Sequence, residues 1–167
     1  MVTPKELMIG NIVTINNPEH HSKLINIPMV VTGISPAING SISTYSISLE
    51  HLVKLPNIHY ESYSQYIEFI QPIELTPPWI KSLSFKEIKR KGRYGPIYAL
   101  SVNDYDYCVE RDFNKHTSYF FGVENTDSPF EYDFERIEHF SYDLKYVHQL
   151  QNLFQSLQHI ELPVINL

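Results

Sequence analysis

Apolar and polar positions recur with two different periods along this chain, and the change of period separates strands from helices. Near the end the period is helical. At about 100° per residue, Tyr146, Val147, Leu150, Leu153, Phe154, Leu157 and Ile160 fall within one arc of roughly 140°, and only Leu144 lies outside it. This predicts a core-facing helix within Ser141 to Ile160. Ser141 or Asp143 would cap it by accepting from the free N–H groups of the first turn, and Pro163 forbids continuation past Leu162. The opposite face carries Gln149, Gln151, Asn152, Gln155, Gln158, His148 and His159, with Lys145 as its one formal charge. A solvated helix face is normally rich in Glu and Lys, so these amides are expected to be covered by something.

Elsewhere the period is two. Ile12 to Asn17 alternates after a Gly10-Asn11 bend and stops at Pro18, Met29 to Ile34 reads as a second strand, and Ile42 to Leu49 as a third after a turn over Ser35 to Ser41. Short strands with small-residue turns predict a curled antiparallel sheet of SH3-like barrel type. Glu50 to Pro56 fits a fourth strand or a turn of helix. Tyr60, Tyr63, Tyr66 and Phe69 recur at intervals of three, which suits a short helix, although Tyr and Ile favour strands. Base stacking on these tyrosines is the sharper reading and core packing the preferred one.

Thr76-Pro77-Pro78 is a helix start: a good N-cap, then prolines in the first turn, where a missing N–H costs nothing. The short helix should turn Trp79, Ile80 and Leu83 inward, with a lobe boundary near Pro72. Ile97 to Val102 and Tyr105 to Glu110 then alternate around Asn103-Asp104 as a β-hairpin, and Ser118 to Glu124 adds a strand. Between Glu124 and Glu138, acids interleave with Phe130, Tyr132 and Phe134, as in an edge strand guarded by charge; a phosphate-mimicking surface is the sharper alternative.

Composition narrows the class. The 167 residues are 43% hydrophobic and 13% aromatic, too apolar for disorder and long enough to bury about two thirds of the unfolded surface. The net charge of −6 disfavours a nucleic-acid binder overall. Locally the sign reverses: Lys81, Lys86, Lys89, Arg90, Lys91 and Arg93 are six of the 13 basic residues, against the single acid Glu87 in that segment. They suit a grip on phosphates, or a solvated hairpin tip, which is preferred. Neither a signal-peptide core nor a run of about 18 apolar residues is present, so a soluble cytoplasmic protein without membrane association is expected.

Candidate chemistry is sparse. Cys108 is the one cysteine, which excludes an intramolecular disulfide and a multi-cysteine metal site. It shares a strand face with Asp106 and Glu110, whose charges oppose thiolate formation. Asp104, Asp106 and Glu110 lack the glycine and ligand count of a calcium loop, and the adjacent His20 and His21 cannot clasp zinc as an i, i+4 pair can. No nucleophile elbow, phosphate-binding glycine loop or zincin helix occurs, which lowers the odds of an enzyme.

Three segments resemble a known group: Leu7-Met8-Ile9-Gly10-Asn11-Ile12-Val13, Pro72-Ile73-Glu74-Leu75-Thr76-Pro77-Pro78-Trp79-Ile80 and Tyr146-Val147-His148-Gln149-Leu150-Gln151-Asn152-Leu153-Phe154. In this order they resemble a family of small uncharacterised proteins from Bacteroidetes genomes, their phages and mobile elements. Relatives carry acids where Pro77 and Pro78 stand and end differently from Gln158 to Leu162. The resemblance implies a genomic setting and no mechanism.

The expectation is therefore one α+β domain over residues 1–167. It has an N-terminal small antiparallel barrel-like sheet, a short helix, a second antiparallel sheet and a C-terminal amphipathic helix packed on sheet, with lobes at 1–71 and 72–167. The expected function is that of a non-enzymatic accessory protein binding a host or phage protein, or a second copy of itself, through His148, Gln149, Asn152 and Gln155. The alternative is a nucleic-acid-binding module using Lys86, Lys89, Arg90, Lys91 and Arg93. Catalytic residues, metal and cofactor are expected to be none.

Overall fold

In the computed structural model the described residues are 2–17, 24–52, 62–88, 96–102, 105–111, 117–124, 134–140, 144–159 and 162. The fold is α+β. It divides into two units, the first joining Met1–Glu74 to Tyr146–Leu162, the second comprising Leu75–Lys145 and Pro163–Leu167, with its described residues all in Leu75–Lys145.

The first unit is built on β1 (Ile12–Ile15), β2 (Met29–Asn39), β3 (Ile42–His51), β4 (Ser62–Tyr66) and β5 (Ile70–Pro72). They form an antiparallel sheet in the order β4-β3-β2-β1-β5. The ladder is open, with β4 and β5 as its edges, and the chain passes from one edge to the other through a single 3-10 turn, Ile67–Phe69. Alternation alone would give β1 one wet face, yet all four of its residues are buried. Its inward side chains join Met29, Val31, Ile47, Leu49 and Ile70 in one core with Val2 and Leu7. Each such side chain contributes about 1.5–3 kcal/mol on burial.

β2 is longer than its pattern suggested. The expected turn over Ser35 to Ser41 contracts to Gly40-Ser41, with Asn39 paired to Ile42. Gly40 takes φ +61, which a two-residue hairpin turn demands at its first position. Pro36 is tolerated inside the strand because β1 pairs β2 only at Met29 and Val30, so Pro36 pairs on one side alone, with Tyr45. A register shift between Val31 and Gly33 changes the parity of the strand. Val31 faces the core before it and Ile34 packs on the core after it. The period-three aromatics do not share one helix: Tyr63 and Tyr66 lie in β4 and Phe69 in the 3-10 turn, while Tyr60 lies outside the described residues.

The closing helix, α2 (Val147–Gln158), starts later than expected, with Tyr146 at its N-cap. Tyr146 is held extended by an antiparallel bridge to Glu74, and the Val147 N–H donates to the Ile73 carbonyl at 2.9 Å. Ser141 and Asp143, the caps expected from the sequence, fall outside the described residues. The Gln149 side chain accepts the Tyr146 N–H instead, at 3.1 Å. The helix ends before Pro163 is reached, at a left-handed His159. Val147, Leu150 and Phe154 are fully buried, and α2 packs on β1. In the lobes read from the sequence α2 falls with the second sheet; in the structure it belongs to the first unit.

The second unit contains α1 (Pro77–Ser82) and strands β6 (Lys86–Ile88), β7 (Ile97–Val102), β8 (Tyr105–Arg111), β9 (Thr117–Glu124) and β10 (Phe134–Phe140). All neighbours are antiparallel, in the order β10-β9-β8-β7-β6. Thr76 precedes α1 as expected, and the helix buries Ile80, with Leu83 at its C-cap; Trp79 is half-buried. The β7–β8 hairpin pairs Ala99 with Cys108, and both are buried beside Ile97. The acidic ribbon ends in β10, which is the sheet's terminal strand; residues 125–133 lie outside the described residues.

Candidate interaction surfaces

Part of the amide face of α2, at Gln151 and Asn152, is engaged by its own unit. Asn11 follows the bend at Gly10, where φ is +90, and its side-chain oxygen accepts the Met8 N–H at 2.8 Å, closing the bend. Gln151 reads the backbone beyond. Its Nε2 donates to the Gly10 carbonyl at 3.1 Å and its Oε1 accepts the Ile12 N–H at 2.9 Å. Those two groups flank Asn11 on one side of the chain, where a neighbouring strand would otherwise bind, so one glutamine amide replaces a missing β-partner. Asn152 completes the joint, accepting from Asn11 Nδ2 and donating to the Glu6 carbonyl, each at 2.7 Å. Neutral amides suit this place because each offers a donor and an acceptor without the desolvation cost of a charge.

Of the residues expected to meet a partner, Asn152 is thus engaged within the fold, Gln149 serves the helix start, and Gln155 is half-buried. His148 is 1% exposed. Its ring stacks on Tyr146 with centroids 5.8 Å apart and planes 9° apart, and among the described residues neither nitrogen has a hydrogen-bond partner. Burial holds the imidazole below its ordinary pKa, opposed by attraction to the Glu6 carboxylate. Glu6 accepts the Thr3 N–H and hydroxyl, each at 2.7 Å, and these bonds lower its own pKa.

Of the basic set, Lys86 is exposed on the edge strand β6. Lys81 is paired with Glu87, an ion pair that raises the lysine pKa. Lys89, Arg90, Lys91 and Arg93 lie outside the described residues. Among the described residues no group of three or more His, Cys, Asp or Glu side chains is placed to hold a metal ion, and no helix is long and apolar enough to cross a membrane. Cys108 is fully buried.

The surface that the sequence reading missed is the distal half of the β2–β3 hairpin. Ile38 is 71% exposed, Ile42 70% and Tyr45 39%. Pairing places Ile38, Ser43, Tyr45 and Pro36 on one face and Ile42 with Asn39 on the other. The hairpin is braced. The Glu68 carboxylate accepts Asn39 Nδ2 at 2.7 Å and the Thr44 hydroxyl at 3.3 Å, tying both strands to the 3-10 turn, while the Tyr66 hydroxyl donates to the Ile38 carbonyl at 3.3 Å. A signal was present in the sequence: from Leu24 to Leu49 there is no Asp, Glu, Lys, Arg or His.

No family profile, curated protein or solved structure matches the chain.

Proposed function

We propose that this protein is a binding module that docks the β2–β3 hairpin tip into an uncharged apolar cleft on a partner protein. The observation that carries the reading is the pair Ile38 and Ile42, each about seven-tenths exposed at a braced hairpin tip whose own residues carry no charge. Large apolar side chains held rigidly in water are costly unless covered, and interface centres are depleted in charge. A tip without lysine or arginine has nothing with which to neutralise phosphates, which favours a protein over a nucleic acid. The strand order, with a 3-10 turn between the two edges, supports reading the sheet as SH3-like, a fold that serves many binding roles and names none by itself. The resemblance to proteins of Bacteroidetes phages and mobile elements suggests an accessory factor whose partner is a host or phage protein.

The test is a photo-crosslinking amino acid at Ile42 in the full chain, exposed to host-cell extract, with a control placement at the exposed Thr32. The reading expects a discrete protein adduct at position 42 that Ile38→Asp abolishes while the melting temperature is retained. Adducts that are equal at both positions, or that survive Ile38→Asp, overturn it.

A further inference from the structure

His148 is a buried imidazole that the proposed function does not use. It is the second residue of α2, enclosed to 1% exposure, with neither ring nitrogen partnered among the described residues. A neutral ring tolerates this site at the expense of unmade hydrogen bonds. A protonated ring does not, because it would place a poorly solvated charge in a buried site and set a cation against the positive end of the helix. Among the described residues the charged group that bears on it is Glu6, from the N-terminal 3-10 turn Pro4–Glu6. The strand that α2 packs against, β1, is Ile-Val-Thr-Ile and offers no charge at all. Tyr146, stacked on the ring, supplies a neutral face. Glu6 attracts the proton, but it is exposed and already accepts two bonds from Thr3, so it stands in water and is partly occupied.

We propose that His148 is an acid-sensitive latch: its protonation frees the N-terminal half of α2 from the Gly10 bend. What holds the helix there is a set of amide bonds, from Gln151 to Gly10 and Ile12 and from Asn152 to Asn11 and Glu6. None of these changes with pH, so the imidazole is the group in this joint that converts acidity into opening. Opening uncovers Gln149, Gln151 and Asn152, so the amide face becomes a surface in the protonated form and is an internal joint in the neutral one. The sign follows from linkage. The folded ring binds its proton more weakly than the freed ring, whose ordinary pKa is 6.5. Closure is therefore fully favoured above pH 6.5 and weakens as pH falls through the lowered folded value. Over that window the opening equilibrium grows by up to about tenfold per pH unit.

The experiment is hydrogen exchange of the full chain between pH 7.5 and 5.0, corrected for intrinsic rates, on wild type and His148→Phe. The latch expects opening of residues 147–155 to increase toward pH 5.0 in wild type and to stay level in His148→Phe. Equal pH dependence in the two proteins overturns it. An NMR titration of the His148 ring in wild type decides the matter should the variant fail to fold. A midpoint below 6.5 sustains the latch, and a midpoint at or above 6.5 removes it.

Discussion

Asn11 and Asn152 are 141 positions apart in sequence and are joined Nδ2 to Oδ1 at 2.7 Å. Each makes a second bond, to the Met8 N–H and to the Glu6 carbonyl, so the pair couples the start of the chain to α2. Replacing one member strands the other. Asn11→Ala or Asn152→Ala should each lower unfolding stability by about 1–3 kcal/mol, and the double variant should lose less than the sum. Urea denaturation of the four proteins in the cycle measures this; strict additivity would mean the two side chains are not coupled.

Gln151 gives a sharper case, since it serves backbone groups that cannot move away. Gln151→Leu keeps the volume and leaves the Gly10 carbonyl and the Ile12 N–H without their amide partner. The expected loss is about 2–6 kcal/mol, from two groups at about 1–3 each, and Gln151→Glu should also destabilise because a carboxylate cannot donate to the carbonyl. Thermal melts at pH 7 test both; a leucine variant as stable as the parent would show that this joint contributes nothing.

The apolar side of the same helix sets the larger scale. Leu150 and Phe154 have no exposed surface, so Leu150→Ala or Phe154→Ala should cost roughly 2–5 kcal/mol, with exposed Ser156→Ala near neutral as the control. Chemical denaturation followed by circular dichroism reads the difference.

Gly10 separates strain from crowding. Nothing lies within 4 Å of a Cβ added there, yet its φ is +90. Gly10→Ala should therefore cost about 1–2 kcal/mol through backbone conformation alone, and Gly10→Asn less. Equal stability of all three proteins in urea would contradict the conformational argument.

The Thr3–Glu6 cap makes an acid-side prediction. Because the Thr3 bonds hold the Glu6 carboxyl below its ordinary 4.5, its contribution is present above pH 4.5 and is lost as pH falls through the lowered value. Thr3→Ala should flatten the fall in melting temperature over that acid range. The His148 contribution begins to be lost as pH falls below 6.5 and that of Glu6 as pH falls below 4.5, so the two onsets are distinguishable in one series of melts.

Much of the fold was legible because its signals are local. The apolar arc of α2 and the Thr76-Pro77-Pro78 start specify their elements within a few residues. The helix start at Tyr146 was not legible, because it is set by a bridge to Glu74 and a bond from Val147 to Ile73. The length of β2 was hidden by Pro36, a breaker by propensity that survives where β1 no longer pairs. For the candidate site, the sequence announced that the amides would be covered and could not say by what, since Gly10 and Gln151 meet only through the tertiary fold. The hairpin surface was missed because alternation in Ile42 to Leu49 reads as core-facing, and only distance from the core distinguishes exposed Tyr45 from buried Ile47.

The first unit is discontinuous in sequence, and this has a bearing on synthesis. β1 to β5 leave the ribosome well before the helix whose Gln151 and Asn152 bind Gly10, Asn11 and Ile12. At about 5–20 residues per second the nascent sheet waits on the order of several seconds, its Gly10 and Ile12 polar groups meeting water, while the intervening segment is made. Translation thus imposes a schedule in which Leu75–Lys145 is made before the helix that completes the first unit.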